Sequence, residues 1–202
     1  MLLKCKAHLE QGKNIRNLDL NSAELELIRD AFLLTQKKVV YVANVDEASM
    51  HTGNKYSQAL IEAVKDEDAE VIIMNNSIEA QISEMEDPED RALFMEEYKM
   101  KEPALDRLIH STYNLLGLQT FFTAGEQEVR AWTFHKGWKA PQCAGVIHSD
   151  FEKGFIKAEV ISFNDFITYK SEAACREAGK LRMEGKEYIV KDGDIMHFRF
   201  NV

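Results

Sequence analysis

Asn44-Val45-Asp46-Glu47 stands directly after an apolar run, Val39-Val40-Tyr41-Val42-Ala43. An apolar run without polar alternation predicts a strand buried on both faces of a parallel sheet. Residues just past the C-terminal end of such a strand border the crevice where open α/β sheets hold ligands. There the Asn44 side chain offers a donor and an acceptor to a purine edge, and the Glu47 carboxylate can accept from ring or amino N–H groups. Asn75-Asn76-Ser77 follows a second apolar run, residues 71–74, and is placed to touch the same base. Both motifs also have a plainer use. N-x-x-E is a short pattern that any polar strand-end turn can carry, and Asn76 or Ser77 suits the N-cap of a helix over 78–85.

A third group lies farther along. Arg130, Trp132, His135, Lys136, Trp138 and Lys139 interleave basic and aromatic residues within ten positions. That mixture can stack on bases and neutralise phosphates, so Arg130, Lys136, Trp138 and Lys139 form a candidate RNA- or partner-binding set. The alternative is that Trp132 and Phe134 point inward from a strand as core, leaving Trp138 as the exposed ring. Cys5-x-x-His8 is half a metal site with no second pair, and His148 with Asp150 fits a helix cap; no metal site is expected. Neither G-x-x-x-x-G-K-[ST] nor G-x-G-x-x-G occurs, so no phosphate cradle is visible and no catalytic residue is assigned.

The elements that must position these residues divide into two textures. Of the 202 residues, 45% are hydrophobic and 29% charged, the composition of a soluble globular protein. The net charge is −9, which argues against a strongly nucleic-acid-binding surface overall. The charge is uneven: residues 1–117 hold 13 basic and 22 acidic residues, and residues 118–202 hold 12 of each. Thirteen of the 19 aromatics lie in the second part, so a domain boundary is placed at 117/118. No apolar run has the length of a membrane span, the N-terminus lacks a secretory pattern, and three scattered cysteines point to a reducing compartment; a cytoplasmic location is expected.

The first part reads as helices over 2–10 and 22–34, strands over 39–43 and 71–74 around a helix over 54–66, and helices over 78–85, 88–100 and 102–116. Asn21-Ser-Ala-Glu24 fits a capping box, and Pro88 and Pro103 mark helix starts. Strand, helix, strand within 40 residues is one βαβ unit. The second part reads as strands over 119–123, 129–134 and 155–160, with a turn at Ala124-Gly125-Glu126. Helices follow over 141–149 and 171–179, and strands 188–190 and 195–200 flank an Asp192-Gly193 hairpin turn. The fold class is α/β followed by a small α+β domain of the β-grasp kind.

Phe121-Phe122-Thr123-Ala124-Gly125, Val129-Arg130-Ala131-Trp132-Thr133, Lys139-Ala140-Pro141-Gln142 and Ile147-His148-Ser149-Asp150-Phe151-Glu152-Lys153-Gly154-Phe155 closely resemble the YchF/Obg-like ATPase family. Tyr188-Ile189-Val190 and Asp192-Gly193-Asp194-Ile195 complete the resemblance, which extends over essentially the whole chain. It implies that residues 1–35 end a helical, coiled-coil insertion. Residues 36–117 are then the C-terminal part of a P-loop-type G domain, and 118–202 a ubiquitin-like TGS domain. It identifies Asn44, Val45 and Glu47 with the base-recognition motif, Val45 and Glu47 standing where the GTPase motif Asn-Lys-x-Asp has Lys and Asp. Asn76 and Ser77 fall in the last nucleotide loop. The family implies ATP or GTP with Mg²⁺ in the longer protein, with none held tightly by this chain, and a ribosomal partner. The P-loop part of the family is not in this sequence, which reads as a C-terminal fragment with an open sheet edge prone to self-association. The other functional reading is a non-enzymatic RNA- or protein-binding module acting through the second domain.

Overall fold

The computed structural model describes residues 1–67, 69–125 and 128–201. It has two compact units, Met1–Leu115 and Leu116–Val202, each with its own sheet, in a mixed α/β architecture. Glu126 of the expected turn lies outside the described residues.

In the first unit, α1 (Leu2–Leu9) and α2 (Ser22–Ile28) precede β1 (Tyr41–Asn44). Asn21 and Glu24 make the expected capping box on α2. The helix expected over 22–34 is α-helical only to Ile28; a 3₁₀ turn over Arg29–Ala31 follows and ends at Phe32, which sits in the left-handed region at φ 47°. The helix α3 (Lys55–Val64) crosses to β2 (Val71–Met74), which pairs with β1 in parallel from Tyr41↔Val71 to Asn44↔Met74. This is the expected βαβ unit. The first strand, however, begins at Tyr41 and is not buried on both faces: Val42 is 42% exposed. With one partner strand among the described residues, its apolar side chains are half covered. Helices α4 (Asn76–Glu84), α5 (Pro88–Glu97) and α6 (Ala104–Leu116) complete the unit. Glu79 of α4 caps α6, accepting from the Ala104 and Leu105 N–H groups at 2.8 and 3.2 Å.

The N-terminal segment is tied to this unit by a polar knot. Arg16 Nε meets Glu67 Oε2 at 3.2 Å, Tyr41 Oη donates to the same oxygen at 3.0 Å, and Asn14 Nδ2 donates to Oε1 at 3.1 Å. Arg16 also donates to the carbonyls of Thr35 and Lys37. Burial alone would raise the Glu67 pKa, but the hydrogen bonds from Tyr41, Arg16 and Asn14 and the Arg16 charge outweigh it and hold the carboxyl below its ordinary value.

The second unit holds β3 (Leu118–Ala124), β4 (Val129–His135), α7 (Ala140–Ile147), α8 (Ser149–Lys153), β5 (Phe155–Ser162), α9 (Phe163–Tyr169), α10 (Glu172–Glu177), β6 (Arg182–Glu184) and β7 (Asp194–Phe200). Strand order is β4-β3-β7-β5-β6, with β3 and β7 parallel and the other pairs antiparallel. Phe121, Phe134, Phe155, Val160 and Phe198 pack on Ala140, Cys143 and Ala144 of α7. The hairpin expected at Asp192-Gly193 does not form. Residues 188–190 make only an isolated bridge, Ile189↔Lys139, and β7 pairs instead with β3 and β5. Gly193, at φ 80°, directs the chain so that its N–H reaches Thr120 O at 2.8 Å.

Buried Asp194 organises that corner. Its Oδ2 accepts from Tyr188 Oη at 2.6 Å and from Lys191 N–H at 2.9 Å, and Arg182 Nη2 lies 3.6 Å from its Oδ1. Burial, then the hydrogen bond to Asp194, pushes the Tyr188 phenol up to about 12. All three cysteines are free and buried, and burial pushes the Cys143 thiol up to about 12. Among the described residues no helix is long and apolar enough to cross a membrane.

Glu67→Gln is expected to lower first-unit stability by about 3 kcal/mol at pH 7, the scale for breaking a mostly buried pair. Because the folded pKa is depressed, the carboxylate's contribution is fully present above the unfolded value of 4.5 and is lost as pH falls through the folded one. Urea melts by circular dichroism at pH 7 and pH 3.5, as an order-of-magnitude choice about a unit below that value, should show the gap between variant and wild type shrinking in acid. An unchanged gap would contradict this account of the knot.

Candidate functional site

The parallel register brings both strand ends to one level, so the loops after β1 and β2 emerge side by side. Three asparagine contacts lock them. Asn44 Oδ1 accepts the Asn76 N–H at 3.1 Å. Asn75 Nδ2 donates to the Val45 carbonyl at 2.7 Å, and its Oδ1 accepts the Ile78 N–H at 2.9 Å. The backbone adds Val45 N–H to Met74 O at 2.9 Å. The structure therefore brings Asn44, Val45, Asn76 and Ser77 together, with Val45 buried at 7% exposure and the other three exposed.

The cap of α4 is Asn75, not Asn76 or Ser77, which are the first two helical residues. Asn44 is the last residue of β1, with its acceptor already used by Asn76. What it has to offer a ligand is the amide N–H₂, one N–H of which can donate to N7, an acceptor common to adenine and guanine.

Asp46 Oδ1 accepts the Ser49 N–H at 3.0 Å and fixes the turn that carries Glu47. Glu47 borders an open cleft of about 530 Å³ shared with Met50, His51, Glu97 and Tyr98. Desolvation, then the charges of Glu47 and Glu97 and a hydrogen bond to Glu47, raise the Tyr98 phenol above its ordinary value.

The basic and aromatic residues of the second unit are dispersed into separate contacts. The Arg130 guanidinium lies 4.1 Å from the Trp132 ring centroid, and Trp132 Nε1 donates to Thr123 Oγ1 at 2.9 Å. Phe134 is buried and Trp132 half-buried. Trp138 is not the exposed ring: it packs against the core cluster, 5.1 Å from His135. Lys139 Nζ pairs with Glu187 at 2.5 Å, and Lys136 is exposed. The His148 ring caps α8 by accepting the Asp150 N–H at 3.2 Å, and His8 meets Asn14 O at 3.1 Å.

Sequence reasoning placed Asn75 in the second loop but gave the cap to Asn76 or Ser77, and it missed Tyr98 and His51. Asn75 carried a usable signal: it follows an apolar strand and precedes Ile78 by three residues, the spacing of an N-cap. Tyr98 and His51 have no local signal, because only the fold brings the end of α5 to the loop after β1. The donors present fit the edge of a nucleobase. Among the described residues no three His, Cys, Asp or Glu side chains gather as a metal site.

Asn75→Ala removes two bonds at once and leaves the Val45 carbonyl and Ile78 N–H without partners. A loss of about 2 kcal/mol in first-unit stability is expected. Amide hydrogen exchange should show protection falling most at Ile78, whose N–H loses its acceptor, and unchanged exchange there would count against the clamp.

A family profile described as "YchF-GTPase_C: Protein of unknown function (DUF933)" matches residues 118–201. The chain is 49% identical over 204 residues to "Ribosome-binding ATPase YchF" of Bacillus subtilis, covering 100% of this chain and 56% of that protein. To the Escherichia coli O157:H7 protein of the same name it is 50% identical over 202 residues, covering 100% and 55%. Among solved structures, that of the Schizosaccharomyces pombe YchF GTPase superposes with a TM-score of 0.83 at 38% identity, covering 97% of this chain and 52% of that one. A GTP binding protein from Pyrococcus horikoshii OT3, at 16% identity and a TM-score of 0.58, shares the fold alone. The chain spans about half the length of the curated relatives it matches. A match that runs the full length of this sequence, together with a profile for the family's C-terminal domain, makes the chain a member of the YchF family, corresponding to its C-terminal portion.

Proposed function

We propose that this chain is the base-reading and partner-binding portion of a ribosome-associated, translation-linked nucleotide hydrolase of the YchF type, working in the cytoplasm. The observation that carries this reading is the asparagine clamp, which joins the two strand-end loops and leaves the Asn44 amide facing outward. The relatives' name, ribosome-binding ATPase, supports the ribosome as partner and ATP as nucleotide.

In this reading residues 1–35 end a helical insertion, 36–117 are the last part of a G-type nucleotide domain, and 118–202 are a TGS-like β-grasp. The mixed sheet closed around α7 supports the last assignment. Asn44, Val45 and Glu47 face the base, and Asn76 and Ser77 close beside it. The phosphates and Mg²⁺, which supply most of the grip on a nucleotide, are held by segments outside this sequence. The chain alone therefore binds ATP or GTP weakly and does not turn them over.

Residues 118–202 carry the ribosome contact. Exposed Arg130 stacked on Trp132, with Lys136, supports RNA as the surface met. The chain also self-associates through β1. One edge of β2 is closed by Arg107, whose Nη2 donates to Ile73 O at 3.1 Å, whereas the outer edge of β1 has no strand partner among the described residues.

Co-sedimentation of the chain with ribosomes over rising salt tests this function. Association that weakens steeply with salt, and more weakly retained Arg130→Ala and Lys136→Ala variants, is the expected result. A salt-independent association points to a ribosomal protein instead, and no association contradicts the proposal. Light scattering should give a mass above 23.2 kDa. A monomer with protected amides throughout β1 would refute self-association.

A further inference from the structure

Among the described residues the five-stranded sheet of the second unit ends in β6 on one side and β4 on the other. The β6 edge is three residues long and offers little to a further strand. The β4 edge is seven residues long and pairs with β3 residue for residue, from Leu118↔His135 to Ala124↔Val129, without a register shift.

The phase of that ladder fixes where each backbone group of β4 points. Lys136 N–H donates to Gly117 O at 2.8 Å and Gly125 N–H to Glu128 O at 3.0 Å, one bond at each end of the same register. In an antiparallel ladder bonded and non-bonded pairs alternate. Arg130, Trp132 and Phe134 therefore turn their N–H and C=O toward β3, whereas Val129 and Ala131 turn theirs outward. His135 fits this phase, its outward carbonyl accepting the Trp138 N–H at 3.1 Å. Among the described residues no strand or turn bonds the outward groups of Val129 and Ala131.

Sheet edges are commonly closed to strand addition by Lys, Pro or a bulge. Here the two outward positions carry Val and Ala, with Val129 73% exposed and Ala131 exposed. Their side chains lie on the face away from the core, because Trp132 and Phe134 face the core cluster. On the core face stands Arg130, more than half exposed, 3.9 Å from Glu128 and over the Trp132 ring. A strand laid along β4 thus meets apolar surface on one face and a cation on the other. Successive side chains of a strand alternate faces, so the matching segment has apolar residues at every second position and acidic ones between.

We infer that the outer edge of β4 is a docking strand for a partner protein: the backbone groups of Val129 and Ala131 pair with an extended segment as a sixth strand, apolar residues against Val129 and Ala131 and acidic residues toward Arg130. In such strand addition the main-chain bonds give affinity and the alternate side chains give selectivity. This goes beyond the RNA contact proposed for residues 118–202 and uses backbone groups which that contact does not. Arg130 is common to both, so segment and RNA exclude one another there.

The probe is the peptide acetyl-Val-Glu-Val-Glu-Val-amide, titrated into the isotope-labelled 202-residue chain. At saturation the amide exchange of Val129 and Ala131 should slow, while that of Trp132, turned toward β3, stays unmoved. The peptide with Lys in place of Glu should bind about tenfold more weakly, the scale of one charge-assisted contact. Ala131→Pro deletes an outward N–H and leaves the β3 ladder whole; it should weaken binding about tenfold. Methylating the central valine nitrogen of the peptide should do the same without touching the protein's fold. Undiminished binding in both of those tests, or no slowing at Val129 and Ala131, would overturn strand addition. Equal binding of the Lys peptide would overturn the acidic selectivity. If Ala131→Pro halves the chain's own mass by light scattering, the occupant is a second copy. If decauridylate slows the same two amides and the peptide does not, the occupant is RNA. Either result overturns a partner protein at this edge.

Discussion

A four-residue parallel pairing, β1 against β2, sets where every candidate ligand group of the first unit can lie. Two short strands are marginal by themselves, because one ladder cannot offset the ordering of the chain that forms it. The surrounding side chains carry the difference. Arg16, Tyr41 and Asn14 converge on Glu67 just before β2, Glu79 fixes the start of α6, and Arg107 closes the far edge of β2. Each contact joins segments distant in sequence, so the register is held from several directions. The loops at the strand ends inherit that register, and Asn75 converts it into a fixed spacing between them.

The second unit solves its problem differently. Its sheet closes an aromatic core around α7, with Phe121 at the centre in contact with Trp132, Phe134 and Phe198. One buried carboxylate, Asp194, gathers Tyr188, Arg182 and the Lys191 backbone, and so fixes a stretch that has almost no ladder of its own. Such a unit is a rigid platform. Functional chemistry on it falls to what projects outward, of which Arg130 over Trp132 is the clearest case. Within the basic and aromatic run Trp138 is packed and Lys139 is paired with Glu187, while Arg130, His135 and Lys136 are exposed.

The βαβ unit was legible because strand and helix periodicity and the caps at Asn21 and Pro88 are local signals. The two strand-end motifs were legible for the same reason. The length of α2 was not, since neither the tightening to a 3₁₀ turn after Ile28 nor the left-handed Phe32 that ends that turn has a sequence mark as strong as a glycine. The Asp192-Gly193 pair signalled a turn but not its partners: a hairpin and a crossover use the same two residues, and only the β3–β7 pairing decides between them. Trp138 read as exposed because its neighbours are Lys, Gly and Lys, yet its ring reaches the core beneath them. Tyr98 and His51 were invisible, because their meeting with the loop after β1 is a product of tertiary structure.

The most direct test of the central claim, that the clamped loops after β1 and β2 face a nucleobase, is amide chemical-shift mapping of the isotope-labelled chain with ATP. The account predicts perturbations concentrated at residues 44–47 and 75–77, with the second unit's core unmoved. Perturbations confined to residues 118–201, or none at saturating ATP, would contradict it.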